Sequence, residues 1–220
     1  LFDGLSGLLE QGDTFGRSDT AAEQRAVVEY VSANPTGPLT VGHGRNAVLG
    51  DTIAKLLEWT GYDVTREYYF NDAGRQMRVL AQSVRARYEA LVSEDATTKT
   101  ITLDDDTTVE VPASFPEDGY LGEYIVDIAK QVYEEHGASL LTTESLAPFQ
   151  QAAEEAILSE IEATLHRLNI EMDSFVNEQD LHDEGKVEAV IDGLTEAGYT
   201  YEEDGALWLK TTEFGKEKDT

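Results

Sequence analysis

Thr40, Val41, Gly42, His43 and Gly44 put a hydroxyl and an imidazole around two glycines. An imidazole can hydrogen-bond a phosphate oxygen as charge builds on it, and glycine lets a nucleotide approach the backbone closely. Just upstream stand Glu29, Ser32 and Asn34. Glu29 interrupts the apolar run Val27 to Val31, and a carboxylate in such a strand needs a partner, either a neighbouring arginine or a cationic ligand. Ser32 and Asn34 offer neutral hydrogen bonds, and they are equally ordinary turn residues at a strand end.

The elements around these residues read as one α/β unit. Val27 to Val31 has the β-branched character of a buried strand in a parallel sheet. Asn34-Pro35-Thr36-Gly37-Pro38 can continue neither a strand ladder nor a helix, so a compact loop follows. From Gly44 onward, Ala47, Val48, Ile53, Ala54, Leu56, Leu57 and Trp59 keep an apolar helical stripe that Gly61 ends. Val64 to Phe70 is a second strand. Free N–H groups at a helix N-terminus stabilise an anion, and open α/β sheets bind ligands at the carboxyl edge of their strands.

The stretch Val28-Glu29-Tyr30-Val31-Ser32-Ala33-Asn34-Pro35-Thr36-Gly37-Pro38-Leu39-Thr40-Val41-Gly42-His43-Gly44-Arg45 closely resembles the signature region of arginyl-tRNA synthetases. The continuation Gly-Tyr-Asp-Val-Thr-Arg-Glu-Tyr-Tyr-Phe-Asn-Asp-Ala-Gly at 61–74 resembles the same family. The resemblance implies a class I α/β fold: a Rossmann-like parallel sheet carrying the HIGH-type nucleotide-binding half, interrupted by an inserted, mostly helical α+β domain. It implies activation of L-arginine with ATP and Mg2+ and ligation to tRNA(Arg), by a monomer in the cytoplasm. His43, assisted by Thr40, would be catalytic. Pro38, Thr40, Gly42, His43 and Gly44 would meet ATP, and Glu29, Ser32, Ala33, Asn34 and His43 would meet arginine. The departure is at Thr40, where the family's motif usually has histidine; a hydroxyl can still donate a hydrogen bond. The family's KMSKS-type loop and helical anticodon-binding domain are not in the sequence. With Leu1 opening the chain without a methionine, this implies a piece of a longer enzyme with little turnover alone.

Charge is the compositional outlier. Against 16 basic residues stand 44 acidic ones, a formal net charge of -28, whereas nucleic-acid binding draws on basic residues. A protein adapted to molar salt reconciles the two, because the Debye length there falls to about 3 Å and surface repulsion is screened. Arg75, Arg78 and Arg85 lie near one side of a helix predicted over 72–92, with Asp72 as its cap and Arg66 and Arg87 nearby. That stripe is either a solvated face or a landing site for the tRNA acceptor end. Cysteine is absent, which excludes disulfides and thiol chemistry. No metal site is expected: His136 and His166 sit near helix ends without ligand spacing, and His182 falls in a polar turn.

Residues 1–25 read as a short helix with Leu1, Phe2, Leu5, Leu8 and Leu9, then a linker. The Rossmann part is assigned to 26–75 and 166–198, the inserted domain to 76–165, and a second insertion opening with a β-hairpin to 199–220. Within the insertion, 99–111 reads as a hairpin with an acidic turn at Asp104-Asp105-Asp106, and Tyr120–His136 and Ser145–Asn169 as helices. Asp204-Gly205 is a strong hairpin signal. Two other functions fit the residues: a different nucleotidyltransferase of the HIGH superfamily, or a non-catalytic acidic binding module.

Overall fold

The computed structural model describes residues 2–72, 74–93 and 95–219, apart from the side chains of Phe2 and Asp3. Leu1, the Phe2 side chain, Ala73 and Thr220, which figure above, lie outside the described residues. The chain divides at 176/177 into two compact units.

The first unit is built on a three-stranded sheet of order β1-β2-β5, with β1 (Arg25–Glu29), β2 (Asp63–Phe70) and β5 (Ser174–Asn177). β1 and β2 run parallel, in a register that places Glu29 beside Glu67. The strand expected to end at Val31 ends at Glu29, because Val31 (φ 67°) and Ser32 (φ 39°) turn into the left-handed region. β1 is not buried either. It lies at the sheet edge and Val27 is 63% exposed.

After α1 (Phe2–Gln11), α2 (Val41–Trp59) runs between β1 and β2. It begins three residues before Gly44 because Thr40 caps it. Its buried face is also not the one expected. Ala47, Gly50, Asp51 and Ala54 pack inward, while Val48, Leu49, Ile53 and Leu56 are 42–61% exposed. The reason is how closely the helix approaches Tyr30: a Cβ on Gly50 would lie 2.2 Å from the Tyr30 ring. Only small side chains fit a seam that tight, so the large ones point away.

Three long helices complete the unit: α3 (Arg75–Val92), α4 (Glu123–His136) and α5 (Ala147–Arg167). α3 starts after Gly74, at φ 93°, instead of being capped by Asp72, which is buried. The helical stripes anticipated from periodicity do form the core. Met77, Leu80, Val84 and Tyr88 of α3 meet Ile125 and Val132 of α4 and Phe149, Ile157, Ile161 and Leu165 of α5. That same cluster contains Tyr30, Ala33, Ala47, Tyr68 and Phe70 from the sheet side. The helices of 76–165 therefore share one apolar core with the strands instead of burying a separate one. A satellite of Ala86, Val111 and Phe115 lies by the hairpin of β3 (Thr98–Thr102) and β4 (Thr108–Pro112). In its acidic turn Asp105 Oδ1 accepts from Thr107 N (3.1 Å) and Oγ1 (2.6 Å), an Asx-type closure.

The second unit, 177–220, holds α6 (Glu178–Asp183), α7 (Lys186–Glu196) and the antiparallel pair β6 (Thr200–Glu203) and β7 (Ala206–Leu209). Asp204 (φ 53°) and Gly205 (φ 78°) make its two-residue turn, as primed hairpins require. α6 and α7, which fall within the part assigned to the Rossmann domain up to 198, group with this hairpin instead, so that the division precedes both helices.

Candidate functional site

The helix N-terminus is a reciprocal capping box. Thr40 Oγ1 accepts from His43 N at 3.4 Å, and His43 Nδ1 accepts from Thr40 N at 3.1 Å. An imidazole whose Nδ1 accepts carries its proton on Nε2 when neutral. His43 is thus held with a fixed donor, Nε2–H, at the first helical turn. Thr40 serves that arrangement by accepting at Oγ1, and its own O–H remains a donor. Gly42 and Gly44 lie within the helix, in its first turn, and not in the loop before it. Only Thr40 Oγ1, at 3.5 Å, comes near the position of a Cβ on Gly42, and nothing lies within 4 Å of one on Gly44. Backbone there is open to a large anion.

Upstream, the chain from Tyr30 to Pro38 is tied down residue by residue. Val31 N donates to Asn46 Oδ1 (2.7 Å), and Ser32 N to the Tyr30 carbonyl (3.0 Å). Tyr69 N donates to Ser32 Oγ (3.1 Å), which leaves the Ser32 O–H free to donate. Asn34 Nδ2 donates to Gln76 Oε1 (2.7 Å), leaving its Oδ1 as an open acceptor. The hydroxyl of Tyr124 on α4 donates to the Thr36 carbonyl, and its ring closes over Gly37. Ala33 lies deeper than its immediate neighbours in the loop. It is 7% exposed, and its N–H and C=O are both engaged by the Tyr68 hydroxyl at 3.1 and 2.9 Å. It is a core residue beneath the loop, with its N–H already donated.

Glu29 is exposed, and no basic side chain pairs with it among the described residues. Its register neighbour Glu67, which is half-buried, likewise has no basic partner among the described residues. The ion pair to a neighbouring arginine is therefore not formed, and two adjacent carboxylates are left without a cation. Arg25, the arginine nearest Glu29 in sequence, lies 3.8 Å from Asp63, and Arg66, next to Glu67, is occupied elsewhere. Arg66 makes a bidentate contact with Glu58 (2.7 and 2.9 Å) and lies 3.7 Å from Asp51 and 3.8 Å from Asp173, while Lys55 reaches Asp51 at 2.6 Å. The hydrogen bonds to Arg66 hold the Glu58 carboxyl below its ordinary range. Burial, reinforced by the Asp51 carboxylate, pushes the Tyr30 hydroxyl up to about 12, and burial does the same for Tyr68. Asn46, Gln76 and Tyr124 escaped the sequence reading, having no motif of their own, and Tyr68, though inside the 61–74 stretch, had no role assigned to it.

The basic stripe mostly disappears into local pairs. Arg75 is bonded to Asp118, Arg85 to Glu89 (2.8 Å), and Arg87 lies over the Phe115 ring at 5.1 Å. Arg78 is exposed and has no acidic or aromatic partner among the described residues. Cavities of about 570 and 590 Å3 lie away from the signature loop, one lined by Leu165, His166, Met172 and Phe175, the other by Arg85, Glu89 and Leu146. Pro38 lines a smaller one of about 310 Å3 with Tyr124 and Ile157.

The family profile described as tRNA synthetases class I (R), catalytic domain, matches residues 5–219. The chain belongs to that family. It is 74% identical over its whole length to an arginine–tRNA ligase of Salinibacter ruber, and 49% identical to one of Prosthecochloris aestuarii. It spans 39% and 38% of those two relatives. Among solved structures, a Campylobacter jejuni chain assigned as an arginyl-tRNA synthetase superposes with a TM-score of 0.80 at 33% identity, covering 99% of this chain and 45% of that one. The Thermus thermophilus arginyl-tRNA synthetase, at 22% identity and a TM-score of 0.57, covering 96% of this chain and 34% of that one, shares the fold. Class I catalytic architecture, a parallel sheet flanked by helices, is thereby established for this arginyl-tRNA synthetase region. No helix among the described residues is long and apolar enough to cross a membrane.

Proposed function

We propose that this chain supplies the HIGH-type part of an arginine–tRNA ligase, binding ATP at the start of α2 and L-arginine beside the end of β1. The observation that carries the reading is the His43–Thr40 box. It presents one defined imidazole N–H at a helix N-terminus with open glycine backbone, which is what a triphosphate needs from a protein. The twin unpaired carboxylates Glu29 and Glu67 support a cationic amino acid, since a guanidinium is a five-donor fork seeking carboxylates. Ser32 O–H and Asn34 Oδ1, each with its other polar group already bonded, add two oriented neutral contacts.

In the reaction a carboxylate oxygen of arginine attacks the α-phosphorus of ATP in line, and pyrophosphate leaves. A ribose hydroxyl at the tRNA terminus then attacks the arginyl carbonyl carbon, and AMP leaves. Both steps ask the protein for positioning and charge stabilisation. His43 Nε2–H donates to phosphate oxygen as negative charge grows, assisted by the Thr40 O–H and the amides of Val41 and Gly42, which no protein group occupies among the described residues, with Pro38 bounding the loop. Mg2+ travels with ATP, ligated largely by the phosphates. The described residues contain no group of three carboxylates or imidazoles placed to hold a cation, so no step is assigned to a protein-held metal. Arg78 is the member of the basic stripe left free to meet tRNA. On this reading the protein works in the cytoplasm beside its tRNA.

Arginine-dependent ATP–pyrophosphate exchange in the full-length enzyme tests the assignment. His43→Ala is expected to lower exchange by about 10²–10³-fold, the effect of losing one preorganised oxyanion donor. Exchange at the wild-type rate in that variant refutes it, and exchange driven equally by other amino acids refutes the arginine subsite.

A further inference from the structure

The turn that carries the proposed arginine contacts is held in a conformation its own residues disfavour. Val31 has φ 67° and Ser32 φ 39°, neither is glycine, and Val31 is β-branched, the type least tolerant of the left-handed region. Ser32 N donates to the Tyr30 carbonyl across Val31 at 3.0 Å, closing the rarer, strained hand of γ-turn. Such a conformation persists only where the surroundings over-determine it.

The surroundings can be named. Asn46, on the second turn of α2, accepts the Val31 N–H at 2.7 Å. From β2, Tyr69 N–H binds Ser32 Oγ and the Tyr68 hydroxyl clasps both backbone groups of Ala33. Of these, Asn46 has a special place, because it belongs to the helix that carries His43, three residues before it. A single side chain thus fixes the strand-end turn relative to the nucleotide-binding turn of α2.

We propose that Asn46 is a positioning residue for the amino-acid subsite: by holding Val31 left-handed it sets where Glu29, Ser32 and Asn34 stand relative to His43. This rests on the arginine-ligase reading above. Water could satisfy the Val31 N–H after loss of Asn46, but water cannot hold the turn, and the strained residues then relax toward ordinary backbone. The defect falls on arginine recognition, because the capping box of Thr40 and His43 does not pass through Asn46.

The test has two arms. In the 220-residue chain, Asn46→Ala exposes the Val31 amide to hydrogen exchange, at least tenfold faster than in wild type, while amides of α3 to α5 keep their protection. This readout is indifferent to whether arginine is the substrate. In the full-length enzyme, Asn46→Ala raises KM for arginine about tenfold with KM for ATP changed less than twofold, and Asn46→Asp, which keeps the acceptor, stays near wild type. Adding Val31→Gly to Asn46→Ala restores much of the loss, since glycine adopts positive φ without strain. Unchanged Val31 exchange overturns the positioning role outright. Equal losses for arginine and ATP without rescue by Val31→Gly overturn it in favour of general destabilisation. A wild-type enzyme that does not use arginine, with the exchange result as expected, overturns the functional reading alone.

Discussion

Gly50→Ala tests how the fold sets the site. The added Cβ would sit 2.2 Å from Tyr30 Cγ, 2.4 Å from its Cβ and 2.6 Å from its Cδ2. An ordinary carbon contact is about 3.5–4.0 Å, so ring and helix must separate by about 1.3 Å or more. Tyr30 is 5% exposed and belongs to the main core, so it cannot swing out freely. Most of the movement therefore falls on α2. Overpacking of this kind costs about 1–3 kcal/mol, and the helical preference for alanine returns up to about 1. A net loss of about 1–2 kcal/mol lowers Tm by roughly 2–8 °C for a unit of this size. His43 lies seven residues earlier on the same helix, about two turns away and on the same face. A shift of about 1 Å there costs about 10²-fold in rate. Differential scanning calorimetry on the chain and arginine-dependent pyrophosphate exchange in the full-length enzyme provide the readouts. A Gly50→Ala protein with wild-type Tm and exchange within twofold would show that the tight seam does not set the position of the imidazole.

Two further outcomes are expected. Burial raises the Glu154 carboxyl above its ordinary range even though Gln150 donates to it at 2.8 Å. A folded state that holds this proton to higher pH than the unfolded chain loses stability as pH rises from the ordinary glutamate value through the raised one, and the full penalty persists above it. Glu154→Gln, which keeps an acceptor for Gln150, should therefore raise Tm at pH 7 and leave it little changed at pH 3; an equal change at both pH values rejects burial of the charge as the cause. With a net charge of -28, tertiary packing should strengthen as KCl rises from dilute buffer to molar concentration. Full near-UV circular dichroism already present in dilute buffer would rule out salt dependence.

Local chemistry was legible in the chain itself. Thr40 and His43 are three residues apart, Asp204-Gly205 demands positive φ, and the apolar stripes of α3, α4 and α5 repeat at helical spacing; each signal acts over a turn or two of backbone. Those elements formed, and the signature residues 28–45 led directly to the family. Contacts between distant segments were not legible. Periodicity showed that α2 had an apolar stripe, but not that its inward face would be Ala47, Gly50 and Ala54; the spacing of these small residues, three, four and seven apart, was the available clue. Nothing near Arg66 in sequence announced that Asp173 would approach it, or that Tyr68 would clasp Ala33. Left-handed φ at Val31 runs against every local preference and exists because Asn46, Tyr68 and Tyr69 converge there. Residue type governs what a side chain can bond and which backbone conformations come easily. Which partner it meets, and which uncomfortable conformation is worth holding, depends on the three-dimensional arrangement, because the groups that compensate lie tens of residues away.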